Sequence, residues 1–213
     1  MKQAIILDLD NTIYPVSSIA DHLFEKLFAL LDENSGEINY EDLVAAKDDL
    51  TRRHYHLVAD KFNFTPELKA QGINLLSNME YEMPLKPFED YRYIQTANIQ
   101  KFLVTTGFTK LQWSKIKMMG IKDDFAEIHI VDPEKSGQTK KDVFADILKR
   151  HNYTAEDVLV IGDDPESEIK AATELGIDTF LFDPENKHAG AVVTYRAVEL
   201  RDVLKYLFII TEK

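Results

Sequence analysis

The sequence contains no cysteine. This absence excludes disulfide bonds, thiolate metal sites and a cysteine nucleophile, so any chemistry must come from carboxylates, hydroxyls, lysines or histidines. Positive charge is also scarce, since 25 Lys and Arg stand against 37 Asp and Glu, for a formal net charge of −12. A dedicated DNA- or RNA-binding protein needs the opposite balance, because attraction to phosphates supplies most nucleic-acid affinity. We therefore expect no nucleic-acid polymer as a partner.

Long apolar runs are missing as well. The first run, residues 4–7, is too short for the hydrophobic segment of a signal peptide, and acidic residues follow it at once. No other stretch approaches the roughly 18 apolar residues of a membrane span. We expect a soluble, cytoplasmic protein without a membrane partner. Its 213 residues, 45% of them hydrophobic, suffice for one packed domain that carries an insertion.

Short apolar runs alternate with helical patterns along most of the chain. The strand candidates are residues 4–9, 101–104, 127–131, 158–161 and 178–182, and the helix candidates are 109–119, 140–150 and 165–175. Strands that alternate with helices form parallel sheets with helices on their faces. The sequence therefore predicts an α/β fold with a Rossmann-like, three-layer parallel sheet core.

Residues 17–80 break this alternation. They contain three amphipathic helical segments, about 19–32, 40–60 and 65–80, and no convincing strand. Two prolines, Pro84 and Pro87, lie where the chain should return to the sheet, as expected at a boundary. We predict a helical cap over residues 16–87, inserted after the first strand, and a core made of residues 1–15 and 88–213.

Acidic residues follow two of the predicted strands. Asp8 and Asp10 are alternate residues, so their side chains project in the same direction and can share a divalent cation. Asp163 ends a later strand and can join them, because the carboxyl ends of parallel strands lie at one edge of the sheet. The next residues, Asp164 and Pro165, are instead typical of a helix start, with Asp164 as the N-cap. The pattern indicates a magnesium site formed by the first three carboxylates.

Hydroxyl and lysine side chains extend this pattern. Another predicted strand ends in two hydroxyl residues and a glycine, Thr105, Thr106 and Gly107. Hydroxyls and free backbone N–H groups beside a helix start can hold an anionic oxygen. Thr139 and Asp142 predict a capping box, which places Lys140 in the first turn of a helix. A cation is unfavourable there, so Lys140 is either solvated or paired with an anion.

Together these motifs resemble those of the haloacid dehalogenase superfamily, chiefly its phosphatases, over essentially the whole chain. The D-x-D-x-T motif of that family is matched by Asp8, Asp10 and Thr12, and its second motif by Thr105. Its G-D-x-x-x-x-D motif is matched at Asp163, but Glu168 replaces the last aspartate. For the motif lysine we select Lys140, with Lys135 as the alternative.

The resemblance implies a magnesium-dependent phosphatase that works through a phosphoaspartyl intermediate. Asp8 would attack phosphorus, and Asp10 would protonate the leaving oxygen and then activate water. Thr105 and Lys140 would neutralise the phosphoryl oxygens together with the metal. The remaining candidates for substrate binding are Thr12, Thr106 and Gly107. In the family the second aspartate usually reaches the metal through its backbone carbonyl, and dehalogenases generally lack an acid at that position, which disfavours dehalogenation.

The resemblance leaves the substrate open. We expect a small phosphorylated metabolite, bound by a monomer or a homodimer. Residues 11–15, Asn-Thr-Ile-Tyr-Pro, are similar to the opening of pyrimidine 5′-nucleotidases, which makes a nucleotide one alternative. The cap residues Arg52, Arg53, His54, Tyr55 and His56 either contact the substrate or form a solvated helix face.

Two other classes of protein remain as alternatives. One is a member of the same superfamily that has lost turnover and only binds phosphorylated ligands. The other is a response-regulator receiver, which would need its phosphoacceptor aspartate after a third strand near residues 50–60. That region has the pattern of a helix.

Overall fold

Six strands form one parallel sheet in this computed structural model, which describes residues 1–36, 38–51 and 53–207. The strands are β1 (Ala4–Leu7), β2 (Gln100–Thr106), β3 (Glu127–Val131), β4 (Val158–Gly162), β5 (Asp178–Phe182) and β6 (Tyr195–Ala197). Their order across the sheet is β3-β2-β1-β4-β5-β6, and every neighbouring pair is parallel. The predicted α/β class is confirmed, and β6 adds a strand that the sequence pattern did not indicate.

Among the described residues, five α-helices lie between the first two strands, and the first four of them fall in residues 17–80, where helices were predicted. These four are α1 (Ala20–Glu33), α2 (Tyr40–Leu50), α3 (Tyr55–Lys61) and α4 (Pro66–Asn78). The helix predicted over residues 40–60 is wrong in its extent, because the chain breaks it into α2 and α3. Thr51 Oγ1 donates to the carbonyl of Asp48, and His54 has extended backbone angles, so the helix ends and a new one begins at Tyr55.

The other helices flank the sheet. They are α5 (Tyr91–Gln95), α6 (Thr109–Met119), α7 (Lys140–His151), α8 (Lys170–Thr173) and α9 (Leu204–Leu207), with a π-helical turn at Pro165–Ile169 before α8. Glycines in the left-handed region, Gly120 and Gly176, follow α6 and α8, where helices commonly end with such a residue. The capping box of Thr139 and Asp142 is present, which makes Lys140 the first residue of α7.

The side chains of β1 divide the protein core into two halves. Ile5 and Leu7 pack with the helices of the insertion and with α6, whereas Ala4 and Ile6 pack with α7 and α8. All four are at most 1% exposed. Helices therefore cover both faces of the sheet, which confirms the three layers. The boundaries that we assigned to core and cap stay predictions.

Among the described helices, none has both the length and the apolar character needed to cross a bilayer.

Candidate active site

The carboxyl ends of β1, β2 and β4 bring the predicted motifs together. Leu7 pairs with Leu103 on one side and with Ile161 on the other, and the backbone N–H of Asp8 donates to the carbonyl of Ile161 over 3.0 Å. Asp8 therefore leaves the sheet between the two neighbouring strands. This register puts Asp8 beside the end of β2, which carries Thr105, and beside the loop that follows β4.

Lys140 joins two buried carboxylates at this edge. Its Nζ lies 2.7 Å from Asp8 Oδ1 and 2.7 Å from Glu168 Oε2, and all three side chains are buried. Burial alone would lower the pKa of Lys140, but the charges of the two carboxylates hold it above its usual range. The alternative, Lys135, is exposed and lies 3.7 Å from Asp132. The structure thus places Lys140, not Lys135, against Asp8.

Three carboxylates gather closely enough to hold a metal ion. Asp8, Asp163 and Glu168 each offer an oxygen, and these oxygens all lie within 4.8 Å of one another. Burial, together with the charges of Glu168 and Asp10, raises the pKa of Asp8 to about 7 despite the opposing effect of Lys140. Burial and the same kind of repulsion raise the pKa of Asp163 well above its usual range. The excess negative charge and the oxygen-only donors fit a magnesium ion.

Glu168 reaches this cluster because of the local backbone. Asp164 caps the π-helical turn by accepting from the N–H of Glu166, as the sequence predicts, and its own N–H donates to Glu168 Oε1 over 2.8 Å. The Glu168 side chain lies so close to Gly162 that a Cβ there would be 2.1 Å from Oε1. Glycine at this position is therefore required, and the longer glutamate side chain is accommodated where the resembled motif has aspartate.

Asp10 has a different environment. Lys115 Nζ lies 2.8 Å from Asp10 Oδ1, Gln112 Nε2 donates to Oδ2 over 2.8 Å, and the hydroxyl of Tyr14 also donates to Oδ1. Burial would raise the pKa of Asp10, but Lys115 and the three hydrogen bonds lower it. Its carboxylate is not part of the three-carboxylate cluster of described residues. The resemblance implies that the second aspartate contacts a metal through its backbone carbonyl, and the position of the Asp10 carboxylate outside the cluster agrees with that expectation.

Gln112 connects the first two motifs. Its Nε2 donates to Asp10, to Thr105 Oγ1 over 2.7 Å and, at 3.3 Å, to the carbonyl of Thr106. Because a carboxylate only accepts hydrogen bonds, the amide NH₂ must face Asp10. Thr105 Oγ1 accepts from the same group, and among the described residues no acceptor receives its hydroxyl proton. That proton is available to an oxygen of a bound ligand.

Thr12 contacts a candidate metal ligand, and its assignment to substrate binding stays a prediction. It is fully buried, and its hydroxyl donates to Asp163 Oδ1 over 3.1 Å. It therefore orients a candidate metal ligand. Gly107 and Thr106, in contrast, line a cavity beside Asp10. The positive φ of Gly107 and the 3.0 Å separation between an added Cβ and Gln112 show why a side chain is disfavoured there.

The cavity beside Asp10 has a volume of about 120 Å³ and lies between the core and the inserted helices. Four of the five cap residues that we selected line it, namely Arg53, His54, Tyr55 and His56, whereas Arg52 lies outside the described residues. His56 is paired with Glu134 over 2.7 Å. Partial desolvation and the positive charge of Lys140 lower the pKa of His54.

Sequence reasoning missed three residues of this site, Tyr14, Gln112 and Lys115. The last two lie on α6, which we treated only as a helix that packs on the sheet. Both are buried, and they lie beside the buried Leu111 and Ile116. Polar residues on the apolar face of a helix are the signal that could have revealed them, since such groups need partners when buried.

Comparison with known proteins agrees with this geometry. The family model of haloacid dehalogenase-like hydrolases matches residues 2–176. Glyceraldehyde 3-phosphate phosphatase from Methanopyrus kandleri is 22% identical, over 84% of this chain and 83% of the relative. Ribulose-1,5-bisphosphate 5-phosphatase from Halopiger xanaduensis is 29% identical, over 94% and 93%.

A solved structure has a similar fold. It is that of the HAD-hydrolase YfnB from Bacillus subtilis, bound to magnesium. The two structures superpose with a TM-score of 0.62 and 18% sequence identity, over 98% of this chain and 99% of that one. This likeness concerns the fold. The match of the family model over residues 2–176 shows that the chain belongs to the haloacid dehalogenase-like hydrolases, which confirms the resemblance that its motifs indicate.

Proposed function

We propose that this protein is a magnesium-dependent phosphatase that hydrolyses a small phosphorylated metabolite through a phosphoaspartyl intermediate on Asp8. The observation that carries the proposal is the pairing of each candidate catalytic carboxylate with its own buried lysine, Asp8 with Lys140 and Asp10 with Lys115. The relatives named as phosphatases of glyceraldehyde 3-phosphate and ribulose 1,5-bisphosphate support the reaction class.

In the first step, an Asp8 oxygen attacks phosphorus, and the bond between phosphorus and the leaving oxygen breaks. Asp10 gives a proton to that oxygen. Because Lys115 favours the ionised form of Asp10, we infer that the proton arrives with the substrate, whose negative charge raises the proton affinity of the carboxylate. Lys140 and the hydroxyl of Thr105 compensate the charge of the phosphoryl oxygens.

In the second step, the ionised Asp10 removes a proton from water as the water oxygen attacks phosphorus. The bond between phosphorus and Asp8 breaks, and inorganic phosphate leaves. Asp8, Asp163, Glu168 and the backbone carbonyl of Asp10 are the groups that would hold the metal. When bound, magnesium supplies positive charge that offsets the repulsion between Asp8 and the phosphate.

The test of this function is phosphate release from a panel of phosphorylated metabolites, measured with magnesium and with EDTA. The panel includes glyceraldehyde 3-phosphate, ribulose 1,5-bisphosphate and both pyrimidine and purine monophosphates. We expect release that requires magnesium. A preference for pyrimidine monophosphates would favour the nucleotidase alternative. Tight binding without release from any compound would favour the alternative that only binds phosphorylated ligands.

Replacing Asp163 with Asn should weaken magnesium binding at least about tenfold, because the variant loses one of three carboxylates and Thr12 then orients a neutral amide. Calorimetric titration with magnesium measures this change without substrate. Asp164→Asn is the matched control, since asparagine also caps helices well and Asp164 is exposed. Equal magnesium affinity in both variants would contradict the ligand assignment.

Replacing Gln112 with Met should lower kcat about 10- to 100-fold, because the variant no longer holds Asp10 and no longer directs the Thr105 hydroxyl. If Gln112 acts through Thr105, the loss in Gln112→Met and the loss in Thr105→Val will not add in the double variant. Gln95→Met is the control, since Gln95 Nε2 also donates to a carboxylate, that of Asp124, at the surface. Additive losses would show that the two residues act independently.

A further inference from the structure

If the proposed function holds, the cavity beside Asp10 is where the leaving group of the substrate binds. Asp10 is the group that gives a proton to the leaving oxygen, so this oxygen must come within hydrogen-bond distance of its carboxylate. Asp10 itself lines the cavity. The carbon skeleton attached to the leaving oxygen therefore occupies this space.

The walls of the cavity are mainly apolar. Eight of the lining side chains are aliphatic or phenyl groups, and each is at most 8% exposed. They are Val16, Leu23, Phe24, Leu27, Leu50, Leu76, Phe108 and Leu111. They come from both sides, since α1, α4 and α6 all contribute. An apolar skeleton would therefore meet apolar atoms from the insertion and from the core.

Most polar groups of the lining are already paired within the protein. Lys115 and Gln112 are bound to Asp10, and Asn11 Oδ1 accepts from the N–H of Val16 over 3.0 Å. Likewise, Thr51 donates to a carbonyl of its own helix, and His56 is paired with Glu134. Among the described lining residues, the polar side chains without a side-chain hydrogen bond are Arg53, His54 and Thr106.

We propose that the preferred substrate is a phosphate monoester of a compact alcohol whose skeleton is mainly apolar, branched or cyclic. The three polar side chains left in the lining allow one polar or anionic substituent. A polyhydroxylated sugar phosphate would instead place several hydroxyl groups against apolar walls, where they lose hydrogen bonds to water without replacement. The inference rests on the proposed function, and it distinguishes this chain from its relatives that are named after sugar phosphates.

Two primary alkyl phosphates of similar size, isopentyl phosphate and glycerol 3-phosphate, test this inference. We expect kcat/KM to be at least about tenfold higher for isopentyl phosphate, because single methylene groups in an apolar pocket already change this ratio about 10- to 200-fold. The glycerol ester has the more acidic alcohol, so intrinsic reactivity favours the opposite order. Equal or higher kcat/KM for glycerol 3-phosphate or glyceraldehyde 3-phosphate would overturn the inference.

A matched pair of variants tests whether the cavity wall sets this preference. Val16→Thr adds a hydroxyl to the wall with little change of shape, and we expect it to reduce the preference for isopentyl phosphate about threefold or more. Val44→Thr makes the same change on an exposed part of α2 outside the cavity and should leave the preference unchanged. An unchanged preference in Val16→Thr, with a melting temperature like that of the wild type, would contradict the role of the wall.

p-Nitrophenyl phosphate separates failure of this inference from failure of the proposed function. Its reactive leaving group makes it a general probe of phosphatase chemistry. Magnesium-dependent release from this ester, with glycerol 3-phosphate preferred over isopentyl phosphate, would overturn the inference alone. No release from any of the esters, by a folded protein with magnesium, would overturn the proposed function and this inference with it.

Discussion

Asp8→Asn is expected to reduce phosphate release by at least about a thousandfold, as removal of a nucleophile does in other enzymes that form covalent intermediates. An amide oxygen has no negative charge and cannot form the phosphoaspartyl intermediate. The change retains the shape of the side chain and an acceptor for Lys140, whose Nζ lies 2.7 Å from Asp8 Oδ1. Turnover on the best substrate of the panel, measured with saturating magnesium, gives the size of the loss.

In the absence of metal, Asp8→Asn should be at least as stable as the wild type. Burial raises the pKa of Asp8 to about 7, above the value of 3.8 that it has when exposed in the unfolded chain. Ionised Asp8 therefore destabilises the folded wild type progressively as pH rises from about 4 to 7. The neutral amide does not titrate, so the stability of Asp8→Asn relative to wild type should increase over that range. Denaturation by urea in EDTA at several pH values measures it.

Asp183→Asn is the matched control for this experiment. Asp183 directly follows β5, as Asp8 follows β1, and it is 3% exposed. Its two carboxylate oxygens accept one hydrogen bond each, from the backbone N–H groups of Lys187 and His188, and the amide oxygen of asparagine can keep one of them. We expect activity within about twofold of wild type. If Asp8→Asn retained a tenth or more of the wild-type rate, another residue would have to be the nucleophile.

The fold could be predicted largely from local patterns. Each central strand is an apolar run buried on both faces, which is visible in the sequence without any tertiary information. β6 was missed because it has only three residues, all half-buried, at the edge of the sheet. The break between α2 and α3 was missed because the apolar spacing continues through it. There, a hydrogen bond from Thr51 to the backbone ends the first helix.

In the candidate site, too, some residues could be predicted from local patterns and others could not. Asp8 and Asp163 could be selected because strand ends determine their positions locally. The capping box placed Lys140 at a helix start, but its selection as the motif lysine came from the resemblance. The position of Glu168 depends on a π-helical turn and on the close approach to Gly162, neither of which has a simple sequence signal. The contacts of Gln112 with Asp10 and Thr105 join residues of separate motifs, and they exist only once α6 packs against the sheet.

Lys140→Met is expected to have the second large effect, on stability as well as on activity. The variant leaves Asp8 and Glu168 buried without their shared cation, and loss of one partner from a buried ion pair costs about 3–5 kcal/mol. Activity should fall about 100- to 1000-fold, because a charge that stabilises the phosphoryl oxygens is lost. Lys141→Met is the control, since Lys141 pairs with Glu174 at the surface, where such pairs contribute about 0–1 kcal/mol.

Magnesium and pH should both reveal why Lys140→Met is unstable. Without the ammonium group, the pKa of Asp8 rises further above its unfolded value, and the pKa of Glu168, which Lys140 helps to hold below its usual range, rises as well. The loss of stability should therefore be largest at high pH. It should shrink as pH falls and the carboxyls take up protons. Magnesium supplies replacement charge if the three carboxylates bind it, so it should raise the melting temperature of Lys140→Met more than that of wild type. An equal rise in both proteins would mean that Lys140 and the metal do not compensate the same carboxylates.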